Sequence, residues 1–249
     1  MKALITGASS GIGKDMAYYL SSIGYDLILV ARRRSVLEKI KKDLNQKVTT
    51  IALDLANEKN VYKLYEMVKN ENIDMLINNA GFGLLGAFYQ TSIIEELEMV
   101  NLNIKTPHIL TKLFLKKFLQ NDKGIILNVA STAAFYSGPN MSTYYATKNY
   151  LLRLSLAIYE ELKEMKSNVQ ISVLCPGPTD TEFNERAKAK FMIKSLSSSY
   201  VAKYAIDKAI KKELIIIPGL LNKLTVLSSK FLPETIKLKI VSRIQKKKY

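Results

Sequence analysis

Residues 144–148 read Tyr-Tyr-Ala-Thr-Lys, a pair of phenols with an ammonium within reach. A phenol titrates near ~10, so it exchanges a proton near neutrality only where something stabilises its anion. A lysine on the same helical face does this, because residues three or four apart on a helix are neighbours. Lys148 follows Tyr144 by four positions and Tyr145 by three, so spacing alone leaves the two tyrosines tied. Aromatic pairs beside a lysine also occur on amphipathic helices purely as packing, with the lysine stem lying along the rings. The rest of the chain separates these readings.

A second candidate site lies at the N-terminal end. The stretch Thr-Gly-Ala-Ser-Ser-Gly-Ile-Gly follows an apolar run and opens a helical pattern. Gly7, Gly11 and Gly13, with Ser9, Ser10 and Ile12, form a glycine fingerprint for a dinucleotide. Small residues let the backbone approach a pyrophosphate, and the helix start offers N–H groups and a positive dipole end. After the next apolar run, where an NAD site usually places a carboxylate for the ribose 2′-hydroxyl, this chain has Arg32, Arg33 and Arg34. Three cations ahead of a helix beginning near Ser35 stand at its positive end, an unfavourable position unless an anion joins them. A 2′-phosphate is such an anion, so NADP(H) is expected in preference to NAD(H).

Both sites need a scaffold, and the apolar pattern supplies one. Unbroken apolar runs at 2–6, 26–31, 48–53, 74–78, 124–130, 169–174 and 213–217 have the character of strands buried on both faces. Segments of 3.6-residue periodicity lie between them, the longest at 94–119. This alternation implies an α/β fold of Rossmann type: a doubly wound parallel sheet with helices on both faces, in a single domain. Residues 1–217 are expected to form the nucleotide-binding catalytic domain and 218–249 a basic, amphipathic, helical extension.

Composition narrows the chemistry. The one cysteine, Cys175, excludes an intramolecular disulfide and is expected as buried packing. The one histidine, His108, leaves no histidine cluster, and no metal is expected. The first six residues already read as a strand, so no signal peptide is expected. No run approaches the roughly 18 apolar residues of a spanning helix. A cytoplasmic protein is expected, with no nucleic-acid partner. Of the formal charge of +15, the residues from Arg186 onward carry +13, from 16 basic and 3 acidic side chains.

Several motifs in order resemble those of the short-chain dehydrogenase/reductase family over roughly residues 1–185. The glycine stretch matches the cofactor loop. Asp54 and Leu55 resemble the adenine contact, and Asn-Asn-Ala-Gly at 78–81, with Asn79, Ala80 and Gly81, matches the motif after the fourth strand. Residues 176–181, with Pro176, Gly177, Thr179 and Thr181, resemble the stretch that meets the nicotinamide. The family's Tyr-x-x-x-Lys pattern breaks the tie in favour of Tyr144, with Tyr145 left to packing or the cofactor wall. The resemblance further implies a catalytic serine thirteen residues earlier, Ser131 rather than Thr132. It also implies a helix-kinking asparagine in a Val-Asn-Leu context, which selects Asn101 over Asn103. Lys148 is implied to hold the nicotinamide ribose as well as to favour the phenolate. The implied activity is hydride transfer between NADP(H) and a carbonyl or alcohol, with a homodimer or homotetramer as the assembly. A reductase of 3-ketoacyl groups on an acidic carrier protein is the alternative. A silent NADP-sensing regulator is a third reading, against which the full set of Ser, Tyr, Lys and Asn speaks.

Residues 182–200 occupy the place of a substrate lid and include Phe183, Phe191 and Met192. With 82–88 and 132–141 they suggest an apolar pocket. In the C-terminal extension, Leu220, Leu224, Leu227 and Phe231 share one helical face, and Ile236, Ile240 and Ile244 share another after Pro233. Either both faces pack on the domain or a partner subunit, or the second segment, with Lys237, Lys239, Arg243 and Lys246 to Lys248 around its stripe, rests on an anionic membrane at the inner surface.

Overall fold

The structure, a computed structural model, describes residues 1–183 and 195–246. Seven parallel strands form one sheet: β1 Lys2–Thr6, β2 Asp26–Ala31, β3 Val48–Ala52, β4 Met75–Asn78, β5 Ile125–Val129, β6 Gln170–Leu174 and β9 Ile215–Ile216. Their order is β3-β2-β1-β4-β5-β6-β9, and β7 Thr179–Asp180 pairs separately with β8 Leu196–Ser197. Each of the seven apolar runs contains one strand of the main sheet. Alternation within a strand feeds two cores. Ala3 and Ile5 of β1 face a layer built with α1 Gly11–Ser22, α2 Arg34–Asp43 and α7 Ser198–Ile210. Leu4 faces the opposite layer, built with α3 Glu58–Val68, α5 Thr106–Gln120 and α6 Ser142–Glu164. Helices thus cover both faces, as a doubly wound sheet requires.

The segment expected as one helix over 94–119 is interrupted. Helix α4 spans Ile93–Val100, a widened π-helical turn spans Asn101–Lys105, and α5 follows. Thr106 Oγ1 secures this turn by donating to the Leu55 carbonyl at 2.6 Å. Nearby, a buried polar layer ties sheet to helices. Asn78 Nδ2 donates to Asn128 Oδ1 at 2.8 Å and to Thr111 Oγ1 at 3.1 Å, and Asn128 Nδ2 donates to Ser155 Oγ at 3.0 Å. Bonds of this kind contribute about 1 kcal/mol each, but a partner left unpaired inside costs more, so the layer fixes how α5 and α6 sit on β4 and β5.

Two last helices, α8 Leu220–Ser229 and α9 Glu234–Lys246, close the described chain. They lie against the loop after β5 through polar contacts: Tyr136 Oη donates to the Thr225 carbonyl at 3.2 Å, and Ser137 Oγ to Glu234 Oε1 at 3.3 Å. Among the described residues no helix is long and apolar enough to cross a membrane.

Candidate active site

At the C-terminal ends of the strands, where open parallel sheets hold their ligands, a cavity of about 730 Å³ runs from the β1–α1 turn to α8 and α9. The glycine loop is built for close approach. Gly7 and Gly11 take φ of +67° and +51°, and a Cβ on Gly13 would stand 2.3 Å from Asn79 Nδ2 and 2.6 Å from the Gly7 carbonyl. Asn79 braces the loop by donating to the carbonyls of Thr6 at 3.0 Å and Gly7 at 3.1 Å. Ser10 precedes α1 without a side-chain cap bond, so the first-turn N–H groups keep no side-chain acceptor. A cradle with no room for side chains, opening on uncapped N–H groups, fits the pyrophosphate of a dinucleotide.

At one end of the cavity the Arg33 guanidinium donates to Ser9 Oγ at 3.2 Å and to Glu182 Oε2 at 2.9 Å, while Arg32 stands 3.6 Å from Glu98. Asp54 turns its carboxylate to the Ala56 N–H at 3.1 Å, and Asn57, not Asp54, caps α3 by accepting from the Lys59 N–H. Leu55 beside it is buried. Toward the centre, the Thr181 methyl lies where a Cβ on Gly11 would come within 2.9 Å. The Pro176 carbonyl accepts from the Thr132 N–H at 2.9 Å. Thr179 donates to the Gly177 carbonyl at 3.0 Å, and Gly177 in turn packs on Asn222 of α8.

The residues expected to do the chemistry converge at the start of α6. Tyr144 and Lys148, one helical turn apart, are both buried, at 8% and 5% exposure. Lys148 Nζ lies 5.9 Å from the Tyr144 ring centroid and donates to the Val129 carbonyl at 2.9 Å. Ser131, just past β5, donates to the Pro176 carbonyl at 3.4 Å and accepts from the Ala133 N–H at 3.1 Å. Burial holds the Tyr144 phenol above its ordinary range, with the neighbouring Ser131 hydroxyl opposing. Burial also lowers the Lys148 ammonium to about 8. Cys175, fully buried beside them, is pushed up to about 12 by burial and stays a thiol.

The two asparagines exchange places relative to expectation. Asn101 offers its backbone carbonyl to Thr106 at 3.2 Å, and among the described residues its side chain makes no hydrogen bond. Asn103 is the one turned inward, at 1% exposure. Its Oδ1 accepts from the Phe82 N–H at 3.1 Å, and its Nδ2 donates to the Phe82 carbonyl at 2.9 Å and to Thr147 Oγ1 at 3.1 Å. Thr147 donates onward to the Tyr144 carbonyl at 2.7 Å. A Cβ on Gly81 would sit 2.9 Å from Asn103 Oδ1 and 3.3 Å from Lys148 Nζ, which places this carboxamide beside the ammonium. Asn103 therefore replaces Asn101 at the site. Tyr145 points elsewhere: its hydroxyl accepts from Gln245 Nε2 of α9, and burial pushes it up to about 12.

Phe82, Met141 and Phe183 line the cavity around Tyr144, the Phe183 ring lying 5.4 Å from that of Tyr144. Leu221, Leu232, Ile240, Val241 and Ile244 of the last two helices form an outer wall. The expected lid residues Phe191 and Met192 lie outside the described residues. The wall from α8 and α9 escapes a reading of the sequence, because amphipathicity says that a helix has two faces and not which cavity it borders. Among the described residues no cluster of His, Cys, Asp and Glu could hold a metal.

The family model for short chain dehydrogenase matches residues 1–191. The chain is 35% identical over 189 residues to an NADP-dependent 3-hydroxy acid dehydrogenase of Schizosaccharomyces pombe, covering 73% of this chain and 72% of that protein. It is 33% identical over 178 residues to a very-long-chain 3-oxoacyl-CoA reductase of Phaeosphaeria nodorum, covering 68% of this chain and 52% of that protein, about half the relative's length. A short-chain dehydrogenase from Sphingobium yanoikuyae solved with NADPH superposes with a TM-score of 0.83 at 28% identity, over 92% of each chain. The glycine cradle and the buried Tyr and Lys thus stand in a fold shared with that solved structure along almost the whole chain, and the protein belongs to the short chain dehydrogenase family, oxidoreductases that bind a nicotinamide cofactor and act on small molecules, generally as oligomers.

Proposed function

We propose that the protein reduces the carbonyl of an apolar aldehyde or ketone to an alcohol with NADPH, or runs the reverse, with Tyr144 as the proton donor. The observation that carries this reading is the single cavity that holds Ser131, Tyr144 and Lys148 at its centre and Ser9 and Arg33 at one end. The bound cofactor would supply the hydride. Tyr144 hands its proton to the carbonyl oxygen as negative charge develops there. Its burial keeps the phenol protonated at neutral pH, the form that a donor needs. Ser131 donates to the same oxygen, in a site where low polarity strengthens the bond. Lys148 stabilises the phenolate left behind, and Asn103 positions both groups through Phe82 and Thr147. Pro176, Gly177, Thr179 and Thr181 would meet the nicotinamide end, and Asp54 and Leu55 the adenine end.

The preference for NADPH rests on Arg32 and Arg33, whose ion pairs at the cavity's edge are with the Glu98 and Glu182 carboxylates. A 2′-phosphate would give Arg33 and Ser9 a doubly charged partner in place of the exposed Glu182 carboxylate. Two relatives are named for the oxygenated third carbon of acyl compounds, which favours a carbonyl carried on an acyl chain as a second reading of the same chemistry. Assembly as a homodimer or homotetramer belongs with this proposal, supported by a family whose members are generally oligomeric.

NADPH consumption over a panel of aldehydes, ketones and 3-oxoacyl thioesters tests the reading. Tyr144→Phe should lower kcat by about 10²- to 10⁴-fold, the usual contribution of a positioned acid, while NADPH still binds. Tyr145→Phe should keep most of the activity. The opposite ranking would assign the chemistry to the wrong tyrosine.

A further inference from the structure

An amphipathic helix packed on a domain ordinarily turns its apolar stripe inward. Helices α8 and α9 do the reverse. Phe231 is 83% exposed, Leu220 73%, and Leu224 and Leu227 53% each. On α9, Ile236, Ile240 and Ile244 are all more than 40% exposed. The residues turned to the domain are Val226, Ser229, Val241 and Gln245, two of them polar. Single exposed leucines are ordinary, but an apolar strip along two consecutive helices marks an interaction surface.

Charge selects the occupant. Residues 218–246 carry six basic side chains and one acid, Glu234, which is engaged by Lys237 at 2.6 Å. A second copy meeting this face about a two-fold axis would bring like charges together. An anionic lipid surface complements both the apolar strip and the cations flanking it. The strip is also continuous with the cavity, because Leu221, Leu232, Ile240 and Ile244 are exposed and line it at once.

We propose that the outer face of α8 and α9 docks on an anionic bilayer, and that apolar substrate passes from the lipid along this strip to Tyr144. Docking stands on exposure and charge alone; the substrate route rests on the proposed reductase activity.

Sedimentation of the full chain with vesicles separates the two. At low salt the protein should sediment with phosphatidylcholine vesicles that contain phosphatidylserine and not with phosphatidylcholine alone. Added salt should release it, and Lys239→Glu with Arg243→Glu should weaken binding by at least about tenfold, from the known contribution of each basic residue near such a surface. Leu224→Ser with Phe231→Ser should abolish binding without moving the thermal midpoint, since both side chains are exposed. The same pair should leave reduction of a water-soluble ketone unchanged and slow reduction of one dissolved in the vesicles. No sedimentation with anionic vesicles at low salt would overturn the docking. So would light scattering that shows a dimer broken by the serine pair without any vesicle binding. Binding to vesicles with no ketone reduced would refute the reductase reading and leave the docking in place.

Discussion

Replacing Asn103 by alanine should harm this protein far more than replacing Asn101, two residues earlier in the same widened turn. Asn103 makes three buried hydrogen bonds, two to the Phe82 backbone and one to Thr147. At about 0.5–1.5 kcal/mol for each bond lost, Asn103→Ala should cost about 2–4 kcal/mol. For a chain of this size that lowers Tm by roughly 5–15 °C. Among the described residues the Asn101 side chain makes no hydrogen bond, so Asn101→Ala should stay within about 0.5 kcal/mol. Scanning calorimetry of the two variants reads this difference directly. Kinetics supply a readout that a purely structural role would not move. Asn103→Asp keeps the acceptor for the Phe82 N–H but sets a negative charge near Lys148, which should raise the lysine's pKa. The alkaline fall in reductase rate should then shift to higher pH. An Asn101→Ala variant that loses as much Tm and activity as Asn103→Ala would refute the placement of Asn103 at the site.

Two further outcomes are expected. Arg33→Ala should weaken NADPH binding at least about tenfold while leaving NADH binding nearly unchanged, since only the 2′-phosphate distinguishes the cofactors; equal losses in fluorescence titrations would remove the basis for the NADP preference. In the wild type, burial lowers Lys148 to about 8, so the ammonium that supports the phenolate is present below that pH and lost above it. The rate of carbonyl reduction should fall as pH rises through about 8, and Lys148→Met should be slow at every pH; a flat profile to higher pH would detach Lys148 from the chemistry.

The sheet was legible in the chain because strands buried on both faces leave unbroken apolar runs, and all seven runs carry a strand of it. The glycine cradle was equally legible, since a positive φ at Gly7 and Gly11 and the contacts around Gly13 exclude other residues whatever surrounds them. Spacing brought Lys148 within reach of two tyrosines, and a family resemblance was needed to choose Tyr144; in the folded chain Tyr145 is held instead by Gln245, a hundred residues away. Asn101 and Asn103 were beyond any local rule. Two positions apart on a helix they face nearly opposite sides, and only the π-helical turn, packed beneath Leu55 and Phe82, sends Asn103 inward. The C-terminal stripes were visible as stripes, but their direction was not. Periodicity shows that a helix has an apolar face, while whether that face meets the core or the outside depends on what the rest of the chain presents. Here the domain offers α9 the Tyr145 hydroxyl and Ser137, so Gln245 and Glu234 face it and the isoleucines turn outward.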